Sequence, residues 1–154
     1  MMKKIIFLFI LATLVNSCGF KTISQDRPAI YLQNVNVVGD NRIAYAVKNN
    51  ILLISTKGSK DKYNVAVSIK TNKYNKIKDN TGKITRYELR ISADLTLKNL
   101  DTEKVSTRSF IKSTDYDIAL IHSDTINNEM LASKNIVQQI SDEITNYIVF
   151  TTNK

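Results

Sequence analysis

The chain has 154 residues, 43% of them hydrophobic, with a single Cys, a single Pro and four Gly. That is enough apolar material for one core and too little for two, and the lack of low-complexity runs argues against a disordered linker or a repeat array. The formal charge is +8, but no aromatic-basic recognition motif accompanies it and no HExxH, GxSxG or phosphate loop occurs, so neither nucleic-acid binding nor the motif-bearing enzyme classes find support.

At the N-terminus, Lys3 and Lys4 precede the apolar run Ile5 to Val15, which is too short to span a bilayer as a mature helix but suits a secretory signal. The run closes in Leu14-Val15-Asn16-Ser17-Cys18-Gly19. This resembles a bacterial lipobox, with Asn16 where smaller residues are usual. In that class of signal the cysteine is acylated and becomes the new N-terminus. Residues 1–17 therefore read as a lipoprotein signal peptide, Cys18 as the lipidation site and residues 18–28 as a lipidated tether, the alternative being an ordinary signal with an incidental cysteine. Gly19 rather than Asp after Cys18 resembles outer-membrane sorting. Two or more acyl chains, at about 0.8 kcal/mol per buried methylene, make a stable anchor.

Ala29 to Val38 read as a first strand whose mixed pattern leaves its buried face open. Asp40 or Asn41 can cap a helix that ends near Ile54 and carries Ile43, Val47 and Ile51 on one side, with Tyr45 and Lys48 elsewhere on its surface. Thr56 to Lys62 form a polar loop. The stretch from Tyr63 to Lys98 then reads as a long hairpin. Its first strand alternates through Tyr63, Val65, Val67 and Ile69, and its second through Tyr87, Leu89, Ile91, Ala93, Leu95 and Leu97. Both buried faces use odd numbers, so the loop must have an odd length. Asn80-Thr81-Gly82, with Gly82 left-handed, meets that requirement and sets the register, with Asp79 facing Lys83, Val67 facing Leu95, and Val65 facing Leu97. The same register sets Lys76 opposite Arg86, a like-charge pair costing up to about 1 kcal/mol. Alternation in the first strand fades after Ile69, so the distal part is expected to overhang by about 20 to 25 Å.

Asn99 to Glu103 make a tight turn into a further strand, Lys104 to Lys112, and Thr114 to Ser123 are expected to form a loop containing Asp115, Asp117 and His122. Asp124 can cap a final helix in which Ile126, Met130, Ser133, Val137, Ile140, Ile144 and Tyr147 form a core-facing stripe, widened by Ile136 and Ile148. The order strand, helix, strand, strand, strand, helix implies α+β architecture. A right-handed crossover makes the first two strands parallel and short turns make the rest an antiparallel meander, giving a two-layer sandwich with a four-stranded mixed sheet, two helices on one face and a long projecting hairpin. Residues 29–154 form a single domain.

From Cys18 onward there are 20 Lys+Arg against 14 Asp+Glu, a balance of +6. Residues 57 to 112 carry 14 basic and 6 acidic groups and residues 113 to 154 carry 2 and 6, so positive charge is concentrated on the sheet's wet face and the hairpin. Lys76, Lys78, Lys83, Arg86 and Arg90 gather there with only Asp79 and Glu88 to offset them. They are the candidate ligand site, suited to the phosphates of a polyanion. No catalytic residue, metal cluster or cofactor site is expected: His122 is the sole histidine, and Asp115, Asp117 and Asp124 are spaced too irregularly for a calcium loop.

Taken together, the Cys18-Gly19-Phe20 start, the helix Asn41-Arg42-Ile43-Ala44-Tyr45-Ala46-Val47-Lys48-Asn49-Asn50-Ile51, and Arg86-Tyr87-Glu88-Leu89 returning from a hairpin tip form a recognisable series. Arg108-Ser109-Phe110, Asp115-Tyr116-Asp117-Ile118-Ala119-Leu120 and the closing helix complete it. The series resembles the LPS-assembly lipoprotein family, LptE or RlpB, over nearly the whole chain after Cys18. The departures are the short C-terminus after Phe150 and Asn16 in the lipobox. The resemblance implies a non-enzymatic outer-membrane lipoprotein that plugs the large β-barrel LptD and assists lipopolysaccharide transport to the outer leaflet. The alternative is an outer-membrane lipoprotein scaffold in cell-wall attachment or barrel assembly.

Cys18→Ser is expected to abolish acylation and leave uncleaved precursor. Palmitate labelling of the variant would refute the assignment of Cys18.

Overall fold

The computed structural model of the chain describes residues 30–153. The signal peptide, Cys18, the tether and Ala29 lie outside the described residues. Six elements follow in the expected order: β1 (Ile30–Val38), α1 (Asn41–Leu52), β2 (Asp61–Lys78), β3 (Ile84–Asn99), β4 (Val105–Asp117) and α2 (His122–Thr152). The sheet order is β1-β2-β3-β4, with β1 parallel to β2 and the other pairs antiparallel. Ile30, Asp61, Asn99 and Val105 therefore share one end of the sheet, here called proximal. Lys78, Ile84 and Asp117 share the other, distal end.

The mixed pattern of β1 has a local cause. Leu32 pairs with Tyr63 but Asn34 pairs with Asn64, so the chain bulges at Gln33 and the inward parity changes, burying Ile30, Leu32 and then Val35. Beyond Val38 the chain leaves the sheet through Gly39, whose φ is +140° and whose α-carbon lies against β2. A Cβ there would stand 2.6 Å from the Ile69 carbonyl oxygen. Asp40 then caps α1, its Oδ1 accepting from the Arg42 and Ile43 N–H groups at 3.1 and 3.3 Å. Ile43, Val47 and Ile51 are buried as their spacing predicts.

The hairpin keeps the predicted register over most of its length, with Val67 facing Leu95 and Val65 facing Leu97. Gly82, at φ +83°, closes the three-residue loop, and Asp79 N–H donates to the Lys83 carbonyl at 2.9 Å. One pairing departs from expectation. A bulge between Asn75 and Ile77 puts Ile77, not Lys76, opposite Arg86. The like-charge pair is thereby avoided, and Lys76 is released to meet carboxylates.

β4 is longer than its sequence suggests. Thr114 to Asp117, expected as loop, continue the strand and pair with Arg86 to Leu89. The hairpin projects beyond β1, which ends opposite Ser68, and β4 accompanies it nearly to the tip. α2 begins at His122, so this residue opens a helix rather than sitting in a loop, and Asp124 lies in the first turn without acting as the cap.

Both helices lie on the apolar face of the sheet. The core row on β3, Ile91, Ala93, Leu95 and Leu97, is sealed with Ile136, Ile140, Ile144 and Ile148 on α2, each at most 2% exposed. The predicted stripe fails at the start of α2, where Ile126 and Met130 are 54% and 59% exposed. There Thr125, Asn128 and Glu129 turn toward the end of β4 and make the contacts: Thr125 Oγ1 accepts from Ala119 N–H, Asn128 donates to the Asp117 carbonyl, and Glu129 accepts from Tyr116. The distal sheet offers polar partners, so polar residues face it.

Gly39→Ala is expected to cost about 2 kcal/mol or more, because it adds a backbone clash to an unfavourable φ. Gly82→Ala, where nothing lies within 4 Å, should cost about 1 kcal/mol from conformation alone. Urea denaturation of the two variants tests the ranking.

Candidate functional site

Past Ser68, no strand among the described residues pairs with the edge of β2 that β1 has left, and Lys70, Lys73, Lys76 and Lys78 punctuate this edge. Charge on an exposed edge discourages strand addition from other chains. At the tip the Asp79 carboxylate accepts from the Thr81 hydroxyl (2.6 Å) and from the N–H groups of Thr81 (2.8 Å) and Lys83 (3.0 Å). These donors, the Thr81 hydroxyl first, hold its pKa below the usual aspartate range.

The five predicted ligand residues do come together at the distal end, but not as an uncompensated cluster. On the outer face Lys76 Nζ reaches Glu88 Oε2 at 2.9 Å and Asp115 Oδ1 at 3.3 Å, while Arg90 Nη2 takes the other Glu88 oxygen at 2.6 Å. Arg90 also lies 5.1 Å from the Tyr74 ring centroid. Arg86 Nε meets Asp117 Oδ1 at 2.5 Å. Glu88 is left only 9% exposed under its two cations. Lys76 foremost, then Arg90, hold its carboxyl below the usual glutamate range. Lys76 is raised in turn, chiefly by Glu88 and then Asp115. Among the described residues Lys78 and Lys83 form no ion pair. They are the open positive charge at the tip.

A second arrangement, on the inner face, was not foreseen. Lys73 Nζ bonds Glu129 Oε2 at 2.7 Å and sits 4.8 and 5.5 Å from the rings of Tyr87 and Tyr116, whose centroids are 5.6 Å apart. Tyr116 also donates to Glu129 at 2.8 Å. Burial disfavours the charged Glu129, but Lys73 and the Tyr116 hydroxyl outweigh it and its pKa falls. This group ties β2, β3, β4 and α2 together where the aliphatic core has ended. Its signal in the sequence is Tyr116, which keeps the parity of Phe110 and so marks β4 as continuing. Among the described residues no group of metal-type ligands assembles.

The outer face is otherwise a lawn of small polar side chains, since Asn36, Ala66, Thr96 and Thr107 pair across the sheet, as do Ser68, Asp94 and Ser109. Ser109 donates to Asp94 at 2.6 Å. The exposed apolar side chains on it include Val38, Tyr74, Val105 and Ile111, at 51%, 46%, 53% and 64%. Among the described residues no helix covers this face.

Because the folded pKa of Glu88 is lowered, its contribution to stability is complete above the unfolded value, about 4.3, and disappears as pH falls through the folded one. Glu88→Gln is therefore expected to lower the denaturation midpoint at pH 7, with the gap from wild type closing in acid. A gap that does not vary with pH would contradict the pairing.

No family model matches the chain, and no curated protein does. Solved structures do. Rare lipoprotein B from Shewanella oneidensis superposes with a TM-score of 0.59 at 13% identity, covering 77% of this chain and 96% of that one. A Caulobacter crescentus protein described as a lipoprotein gives 0.56 at 18% identity, over 77% and 90% of the two chains. A Xanthomonas campestris protein of the DUF330 family gives 0.53 at 10% identity, over 81% and 85%. The fold of this chain, from the bulged parallel β1 to the closing helix, is the fold of rare lipoprotein B.

Proposed function

We propose that the chain is an outer-membrane lipoprotein of the LptE type, anchored through acylated Cys18, that seats in the lumen of an LptD-type β-barrel and assists lipopolysaccharide binding and assembly. The observation that carries this reading is a fold shared with rare lipoprotein B along almost the whole of that protein, joined to a lipobox ahead of the fold. Two physical features support it. The uncovered sheet face of Asn, Ser and Thr side chains suits the water-lined interior of a large barrel. The distal end presents cations that match phosphate groups.

Lysines 78 and 83 are the first contacts for lipopolysaccharide phosphates, because among the described residues neither forms a salt bridge, although Asp79 lies close enough to Lys83 to feel its charge. Lys76, Arg86 and Arg90 contribute less, as a ligand must compete with Glu88, Asp115 and Asp117. On this reading the chain acts by binding, with no catalytic step.

Affinity capture of the acylated chain from membranes is expected to bring down a large barrel, whereas retention on peptidoglycan without a barrel would overturn the assignment in favour of a wall-attached scaffold. Lys78→Glu with Lys83→Glu is expected to weaken binding of purified lipopolysaccharide and flatten its salt dependence without changing thermal stability. Lys76→Glu with Arg86→Glu should instead lower stability, because each change sets carboxylate against carboxylate.

A further inference from the structure

The proximal end of the domain carries a charged surface of a different kind. The loop after α1 is fastened there: Thr56 N–H donates to the Ile30 carbonyl at 2.7 Å and Leu32 N–H to Ser55 Oγ at 3.0 Å. The turn between β3 and β4 is held beside it by Leu100 N–H donating to the Lys62 carbonyl at 2.9 Å. On this platform Lys57, Lys60, Lys62 and Lys104 are exposed, and among the described residues none of them forms an ion pair. The acidic groups in these loops are Asp61 and Asp101, together with Glu103, which Lys98 engages. At the end of α1, Leu52 and Leu53 are 41% and 75% exposed.

The contrast with the distal end is chemical. There the cations are mostly matched by carboxylates, whereas Lys57, Lys60, Lys62 and Lys104 form no ion pair among the described residues and lie on the same end as exposed leucines. Ammonium groups interleaved with aliphatic side chains suit the interface of an anionic bilayer, with lysine meeting phosphate and leucine entering the acyl boundary. The position of the platform selects the same partner. Residues 19–29 link Cys18 to Ile30 and can span at most about 40 Å when fully extended, so an anchor at Cys18 keeps the platform close to its bilayer.

We propose that this proximal platform, centred on Leu53, Lys57, Lys60 and Lys62, docks on the anionic phospholipid surface of the membrane that holds the anchor. The contact fixes the height and tilt of the domain, which the acyl chains alone leave free, and it leaves the distal end available to a partner. The choice of membrane rests on reading Cys18 as the anchor, while the surface chemistry does not.

The test uses a chain that starts at Gly19 and has no acyl group. Among the described residues the core is drawn from Ile30 to Ile148, so starting at Gly19 removes none of it. Sedimentation with phosphatidylglycerol/phosphatidylethanolamine vesicles is expected to show binding that salt reverses and that phosphatidylcholine vesicles do not support. Lys57→Glu/Lys60→Glu/Lys62→Glu should reduce the partition at least about tenfold, and Leu53→Ser should reduce it with the folded midpoint preserved. The tip pair Lys78→Glu/Lys83→Glu should leave it unchanged. In the acylated chain, a fluorophore at Thr56→Cys should shift to the blue on anionic vesicles while one at Asn80→Cys stays in water. Equal binding to both vesicle types, no binding, or loss caused by the tip pair instead would overturn the proposal. Failure of acylation at Cys18 would appear in the membrane fraction of cells and leave this vesicle partition untouched, so the two readings fail separately.

Discussion

The structure depends on burying one row of side chains on β3. Ile91, Ala93, Leu95 and Leu97 are sealed by the isoleucines of α2, and β3 is paired on both sides along nearly its whole length. Truncating a fully buried isoleucine to alanine costs about 2 to 5 kcal/mol, a large part of what a domain of this size has in reserve. The same row makes the register all-or-none. A slip of one residue would expose every member of it, so the odd-length loop closed by Gly82 and the stripe on α2 must agree.

That agreement explains why so much of the fold was legible. In four segments that line this one core, apolar period and inward face coincide: Tyr63 to Ile69, Leu89 to Leu97, Ile43 to Ile51, and α2 from Ile136 onward. The parity of the hairpin followed from the side chains alone, because odd positions on both strands had to face the same way. The parallel placement of β1 followed from the crossover rule, although its bulge at Gln33 hid the buried face by changing parity midway.

Legibility stopped where the core stops. In the distal third, inward positions are filled by Lys73, Tyr116, Thr125 and Glu129, so hydrophobic pattern no longer reports which way a residue points. Apolar character points Ile126 and Met130 inward, and polarity makes Thr114 to Asp117 read as a loop. Both follow from the same substitution of an ion-paired, aromatic contact for an aliphatic one. The candidate site was affected in the same way. Its residues are legible, and so is Glu88 on β3, but Asp115 and Asp117 lie on a continuation of β4 that the pattern hides, so the cluster reads as more repulsive than it is.

The parallel pairing of β1 and β2 also sets how the domain carries mechanical load. The chain enters β1 at its proximal end, and β2 runs from beside that point to the distal tip. A pull on Ile30 directed away from a tip held by a partner draws β1 along β2 rather than off it. The ladder from Ile30 to Val38 is then strained in shear, with its hydrogen bonds sharing the force, whereas an antiparallel entry strand would begin on the tip's side, and a pull on its first residue would peel the bonds open one at a time.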